Sequence, residues 1–280
     1  MKSYLNLGCG NRFHTAWTNI DFVSSDPSVL SHNLRRGIPS PDAAFDVVYH
    51  SHLLEHFAKS EALSFLSECR RVLKPEGIIR IAVPDLEQLA RMYLLALDRA
   101  AAGDEEWERR YQWIMLELLD QTVRERPGGA MAAYLQQEEI PALEFIISRM
   151  GREALDLIEA CAQSRGKAAS RPTARQMSAA RLWRGFLRAP RMARERALRL
   201  LAGGEYEMLE VGRFRRRGEP HLWMYDRYSL ARLLKEAGFR DPQRVGPSES
   251  SIPEWSSYNL DTEPDGQVYK PDSLFMEAFK

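Results

Sequence analysis

His52, Glu55 and His56 stand at i, i+3 and i+4 in the stretch HSHLLEHF. On a helix the three side chains share one face. In the order H-x-x-E-H they could hold zinc for hydrolysis, the inverted zinc-peptidase pattern. Two imidazoles and a carboxylate suit zinc or iron better than magnesium. The same groups could instead bond locally and shape a pocket floor. A peptidase needs its motif inside a long helix, with a further ligand downstream. Here the preceding residues, FDVVYH (Phe45 to His50), read as a buried strand. A metal-dependent hydrolase using His52, Glu55 and His56 is therefore the lesser reading, and no metal is expected.

A second constellation lies near the start. LNLGCG is a short apolar strand running into Gly8-x-Gly10, followed by NID with Asp21. Glycines without a Cβ let a ligand approach the backbone. An acid closing the next strand can bind ribose hydroxyls. The dinucleotide fingerprint wants a third glycine three residues on, and that position is Phe13. Eleven residues separate Gly10 from Asp21, so there is little room for a helix whose N-terminus would hold a pyrophosphate. A nucleoside ligand without phosphate fits better, and S-adenosylmethionine (SAM) is one.

These residues need elements to carry them. Strand signals occur in SYLNL, WTNIDF, FDVVYH and IIRIAVP, the last apolar enough for burial on both faces. A helix between the latter two is capped by Ser60, with Leu63, Leu66, Cys69 and Leu73 on its apolar face, and KPEG ends it. Strands alternating with helices predict a parallel α/β sheet. From Leu86 to about Leu209 no strand is apparent, and helix breaks fall near AAGD, RPGG, SRGKAASRP and LAGG. The sheet pattern resumes with DRYSLARLLKEAGF as an amphipathic helix stopped by Gly238, RDPQRVGPSES as strand and loop, and DSLFMEAFK as the terminal strand. The expected organisation is a core of residues 1–90 and 218–280 and a helical insertion of 91–217.

LNLGCG, NIDF, FDVVYHSHLLEHF, RRVLKPEGIIRIAVPDL and LLKEAGF together resemble class I SAM-dependent methyltransferases of the type 11 kind. In particular they resemble a subgroup associated with sugar or polysaccharide biosynthesis. The resemblance implies a Rossmann-like, mostly parallel seven-stranded sheet with an antiparallel last strand. It implies that Asn6, Gly8, Cys9 and Gly10 line the methionine half of SAM and that Asp21, followed by Phe22, holds the ribose. Asn33 and Leu34 would border the adenine, and His50 and Ser51 would face the sulfonium. The family commonly has Asp where this chain has Asn6. His52 is the first candidate for a general base and His221 the second, and Asp85 would line the substrate side. The reading is methyl transfer, as an O-methyltransferase, to a hydroxyl of a saccharide, nucleotide sugar or related small molecule. A non-catalytic SAM-binding regulator or scaffold is the alternative.

The 280 residues are 44% hydrophobic and 28% charged, with no net charge. No apolar run reaches the roughly 20 residues that span a bilayer. MKSYLNLGCG leaves no room for a signal peptide. Three scattered cysteines without C-x-x-C argue against a disulfide framework and for a reducing cytoplasm. Between Arg165 and Arg217, fifteen basic residues face four acids. That segment could grip a phosphorylated acceptor, lie on an anionic membrane surface, or pair with acidic helices earlier in the insertion. Nucleic acid is not expected, because no recognisable binding module accompanies the charge, and a homo-oligomer stays open. Trp255 and Tyr258 in the late loop could stack on a sugar ring or pack internally.

Overall fold

A computed structural model describes residues 2–24, 26–169 and 192–280. Seven strands form one sheet: β1 (Tyr4–Leu7), β2 (Thr18–Asp21), β3 (Val29–Ser31), β4 (Phe45–Ser51), β5 (Leu73–Pro84), β6 (Arg240–Val245) and β7 (Ser273–Phe279). Their order is β3-β2-β1-β4-β5-β7-β6. The first five run parallel, with Leu7 beside Ile20 and His50, and β7 is antiparallel to both β5 and β6. This is the expected Rossmann-like, mostly parallel seven-stranded sheet with an antiparallel last strand. The strand order reverses between β1 and β4, so a ligand crevice opens at their carboxyl ends.

The two faces of the sheet are covered differently. On one face, Leu5, Leu7, Val48, Ile79 and Ile81 pack against α1 (Lys59–Val72) and the helix Arg227–Glu236. Asp226 caps the latter helix by accepting from the Tyr228 and Ser229 amides at 2.9 and 2.8 Å. Ser60 does not cap α1. Ala58 is the N-cap, and the Glu61 carboxylate takes its amide at 3.2 Å. The buried stripe of α1 is Ala62, Phe65, Leu66, Cys69 and Val72. KPEG does not separate helix from strand either, since β5 already begins at Leu73 and a register shift between Phe45 and Val47 absorbs those residues.

Among the described residues, no α-helix packs on the other face. Tyr4, Trp17, Val47 and Tyr49 are covered by Ile252, Trp255 and Leu260 of the long loop before β7. Trp255 and Tyr258 are thus packing residues, with their rings 6.1 and 5.3 Å from Trp17. The loop is pinned by Arg80, fully buried on β5. Its guanidinium bonds Asp261 and Glu277 at 2.8 Å each and the carbonyls of Gly246, Pro247 and Glu249. The Tyr49 hydroxyl donates to Asp261 at 2.6 Å.

The regular elements of the insertion, among its described residues, are all helices: α2 (Leu86–Ala101), α3 (Glu105–Val123), α4 (Gly129–Leu135), α5 (Leu143–Met150), α6 (Arg152–Ala169), residues 192–202 and Tyr206–Arg215. It has a small core of its own, built by Trp113, Met131, Leu135, Ile146 and Met150. A buried Arg149–Glu117 pair at 2.7 Å also takes the Trp113 indole N–H. The break expected at SRGKAASRP is not seen up to Ala169, because α6 runs through it, and the rest lies outside the described residues. Six of the fifteen basic residues of that stretch, Arg171 to Arg191, also fall there. Of its described arginines, Arg213 pairs with Glu195, inside the segment itself, and Arg215 donates to the Thr122 carbonyl of α3. No helix among the described residues is long and apolar enough to cross a membrane.

Arg80→Ala would leave Asp261 and Glu277 buried without their counter-charge. It is expected to cost about 3–5 kcal/mol of stability, measured by urea unfolding. A loss below about 1 kcal/mol would show that the loop does not depend on this contact.

Candidate active site

The chain passes from β1 to β2 through a turn instead of a helix. Gly8 and Gly10 both have positive φ, +64° and +52°. A Cβ on Gly8 would meet Leu53 at 2.8 Å, whereas a Cβ on Gly10 would project into open space. The turn is tied down from below by amides. Asn6 Nδ2 donates to the Arg12 carbonyl at 3.1 Å and lies 3.3 Å from Asn19 Oδ1, and Asn19 Nδ2 donates to the carbonyls of His14 and Trp17. A carboxylate at position 6 could not donate to Arg12, which accounts for the amide there.

Asp21 closes the crevice. Its Oδ2 accepts from the Gly10 amide at 2.8 Å and its Oδ1 from the Val23 amide at 3.1 Å. Each oxygen keeps a lone pair for a hydroxyl donor. Phe22 and Val23 beside it are about two-thirds exposed (66% and 67%), an apolar shelf next to an acid. Asn33 caps the short turn Leu34–Arg36 by accepting from the Arg35 amide. Four expected ligand-lining residues are buried instead: Asn6, Cys9, Leu34 and His50. Burial and the Asp21 charge push the Cys9 thiol up to about 11, so it stays protonated. His50 packs against the Phe65 ring at 5.4 Å with neither nitrogen hydrogen-bonded, and burial lowers its pKa to about 3. It is a neutral, fully buried residue of β4. Ser51 is half-buried at the strand end.

Past β4 the chain turns sharply, with His52 at φ +49°. His52, Glu55 and His56 do not share a helix face, because only a short turn, Leu54–His56, forms there. His52 Nε2 is 2.8 Å from Ser273 Oγ, and its Nδ1 lies 3.4 Å from Glu55 Oε1. Glu55 is fully buried, and burial raises its pKa to about 8. His221 arrives from the far end of the insertion, its Nε2 4.0 Å from the same Glu55 oxygen. Burial, followed by nearby Lys270 for His52 and nearby His56 for His221, holds both imidazoles well below their usual range. The two candidate bases are thus brought together, and Glu55 between them is the group that sequence reasoning undervalued. Asp85 is not with them. It caps α2 through the Glu87 and Gln88 amides at 3.0 and 3.1 Å and faces Arg244 at 3.3 Å. The acid directly before a helix was the available signal.

A cavity of about 270 Å³ opens at the carboxyl ends of β4 and β5. His52, Pro84, His221, Lys270 and Asp272 form its floor, and Gln121, Arg124, Met131, Leu135, Met150 and Glu153 of the insertion roof it. Lys270 is held by Glu153 at 2.9 Å. Arg124 is held by Asp120 at 2.7 Å and by Glu219 at 3.2 Å. Lys270 and Asp272 precede the antiparallel last strand, where Pro84 pairs with Ser273. That pairing delivers them to the same edge, which residue spacing alone does not reveal.

Residues 5–81 match a family described as a methyltransferase domain. No match was found among curated proteins. Among solved structures the chain is similar to 1,6-didemethyltoxoflavin-N1-methyltransferase from Burkholderia thailandensis, at 18% identity over 30% of this chain and 45% of that one, with a TM-score of 0.26. It is similar to a SAM-dependent methyltransferase from Aquifex aeolicus at 22% identity over 30% of this chain and 57% of that one, with a TM-score of 0.25. A SAM-dependent methyltransferase from Archaeoglobus fulgidus aligns at 12% identity over 100% and 86%, with a TM-score of 0.36. The chain spans about half the length of the first two. Residues 5–81 thus resemble a methyltransferase domain, a class whose methyl donor is SAM. The residues present fit that group: a carboxylate with free lone pairs for a diol, open space above Gly10, and an apolar shelf for a base.

Asp272, at the cavity wall, is raised from 3.8 to about 7 by burial and by the Glu153 and Glu117 charges. An acid raised in the folded state keeps a proton that the unfolded chain has already lost. Stability therefore falls as pH rises from 3.8 to about 7. Asp272→Asn is expected to flatten that part of the Tm–pH curve. Parallel curves for the two proteins would show that Asp272 is not the group responsible.

Proposed function

We propose that this protein transfers the methyl group of SAM to a hydroxyl of a saccharide, nucleotide sugar or related small molecule held in the cavity beneath the insertion. The observation that carries the reading is the Gly10–Asp21 contact at the strand-order reversal, with a cavity at the ends of β4 and β5 on the same edge of the sheet. When bound, SAM supplies an already activated methyl group. The chain's own part is to position and to move a proton. Asp21 would accept from the ribose diol, Gly10 would leave room for the ligand's backbone approach, and Phe22 with Val23 would cover the adenine.

The cavity mixes carboxylates, imidazoles and a lysine with the side chains of Met131, Leu135 and Met150. That mixture suits a ring with hydroxyls on its rim and C–H groups on its face. Both cations at the wall are already paired with acids, which favours an acceptor whose reacting end carries no phosphate. Burial and the nearby Lys270 charge hold the His52 imidazole well below its usual range, which favours the neutral form that a general base requires. Holding the two reactants in line can contribute roughly 7–11 kcal/mol.

Calorimetry with SAM and with its demethylated product tests the first half. Asp21→Asn is expected to weaken both by about 10- to 100-fold, the worth of a hydrogen bond to a charged group. No binding to the wild-type protein would end the proposal. With labelled SAM and a saccharide panel, His52→Gln is expected to lower kcat by about 10²–10⁴ while SAM affinity holds. An unchanged kcat would remove His52 from the proton's path.

A further inference from the structure

Glu55 poses a problem that methyl transfer does not solve. It is fully buried, and neither carboxylate oxygen has a hydrogen-bond partner. His221, also buried, has an unpartnered Nδ1. Orphaned polar atoms in a protein interior are rare and call for an explanation. His56 completes the group, its ring 4.9 Å from that of His221. One donor atom from each of Glu55, His56 and His221 lies within 4.8 Å of the others.

The tautomer of His56 is fixed by its neighbour. Its Nδ1 is 3.2 Å from the Pro220 carbonyl, which can only accept, so Nδ1 carries the proton and Nε2 presents a lone pair. A carbonyl behind one ring nitrogen is the usual support of a metal-binding histidine. The backbone also fixes the spacing. Leu222 and Trp223 both donate to the Glu55 carbonyl, at 2.7 and 3.2 Å, and His221 donates to the Gln121 carbonyl at 2.9 Å. The nearby cations, Lys270 and Arg124, are each neutralised by their own acids.

We propose that Glu55, His56 and His221 bind one divalent transition-metal ion of the zinc class, with a further coordination position open to the cavity. Two imidazoles and one carboxylate match zinc, whereas magnesium and calcium prefer all-oxygen shells. Ligand atoms in a tetrahedral zinc site are about 3.4 Å apart. The observed spacing therefore closes by small side-chain movements. His52, held by Ser273, stays outside the ligand set. The open position faces the cavity assigned to the acceptor, so only the ion's role rests on the methyltransferase reading. Its binding does not.

The test uses the full chain, stripped with chelator and dialysed. Titration with zinc chloride by calorimetry is expected to show one equivalent per chain and no heat with magnesium. Cobalt(II) is expected to give the visible absorption of a low-coordinate nitrogen–oxygen site. Glu55→Gln and His221→Gln are expected to abolish both signals, while His14→Gln, remote from the cluster, keeps them. Circular dichroism confirms that the variants fold, and if one does not, the wild-type stoichiometry and cobalt spectrum still decide. Absence of stoichiometric zinc in the wild type, or retention of the signal in both variants, overturns the proposal. SAM calorimetry on the stripped protein separates the two failures: SAM binding without zinc binding removes the ion alone.

Discussion

The Gly10 amide donates to the Asp21 carboxylate across the gap between β1 and β2, and the ligand crevice takes its form from that contact. The link is short because no helix intervenes between the two strands. Dropping the helix frees backbone carbonyls that would otherwise be satisfied within it. Asn6 and Asn19 supply the missing donors, to Arg12, His14 and Trp17. The cost is the loss of a helix N-terminus, the usual seat of a phosphate. A sulfonium nucleoside has no phosphate to lose, so this economy of chain suits its ligand.

The two faces of the sheet solve burial in different ways. Helices cover one face, and an aromatic loop nailed down by Arg80 covers the other. A charged group at the centre of such a layer is tolerable only because five acceptors surround it. The carboxyl edge is left for chemistry. There the insertion supplies the roof and the core supplies the floor, and the acids that pair Lys270 and Arg124 come from α3, α6 and the return segment.

The alternation of strand and helix, the Gly8-x-Gly10 turn and the paired Asp21 were legible in the residues, because local pattern governs them. Burial patterns within the turn were not. Asn6 reads as a ligand contact, but its amide is spent on Arg12, a bond that only the folded turn creates. His50 reads as a strand-end site residue, yet the strand's pleat directs it onto Phe65. Ser60 had the chemistry of a cap, but the helix starts before it, with Glu61 reaching back. His52 and Glu55 were visible as neighbours. The approach of His221 depends on where 165 residues of intervening chain return, and no spacing rule carries that information. Trp255 and Tyr258 had composition suited to either stacking or packing, and only the missing helices on that face decide the matter.

The carbonyl of Glu55 receives two amides from the strand of chain that leaves the insertion. This seam welds one margin of the roof to the floor. A bulky guest cannot be admitted by lifting that margin without breaking a doubly anchored joint.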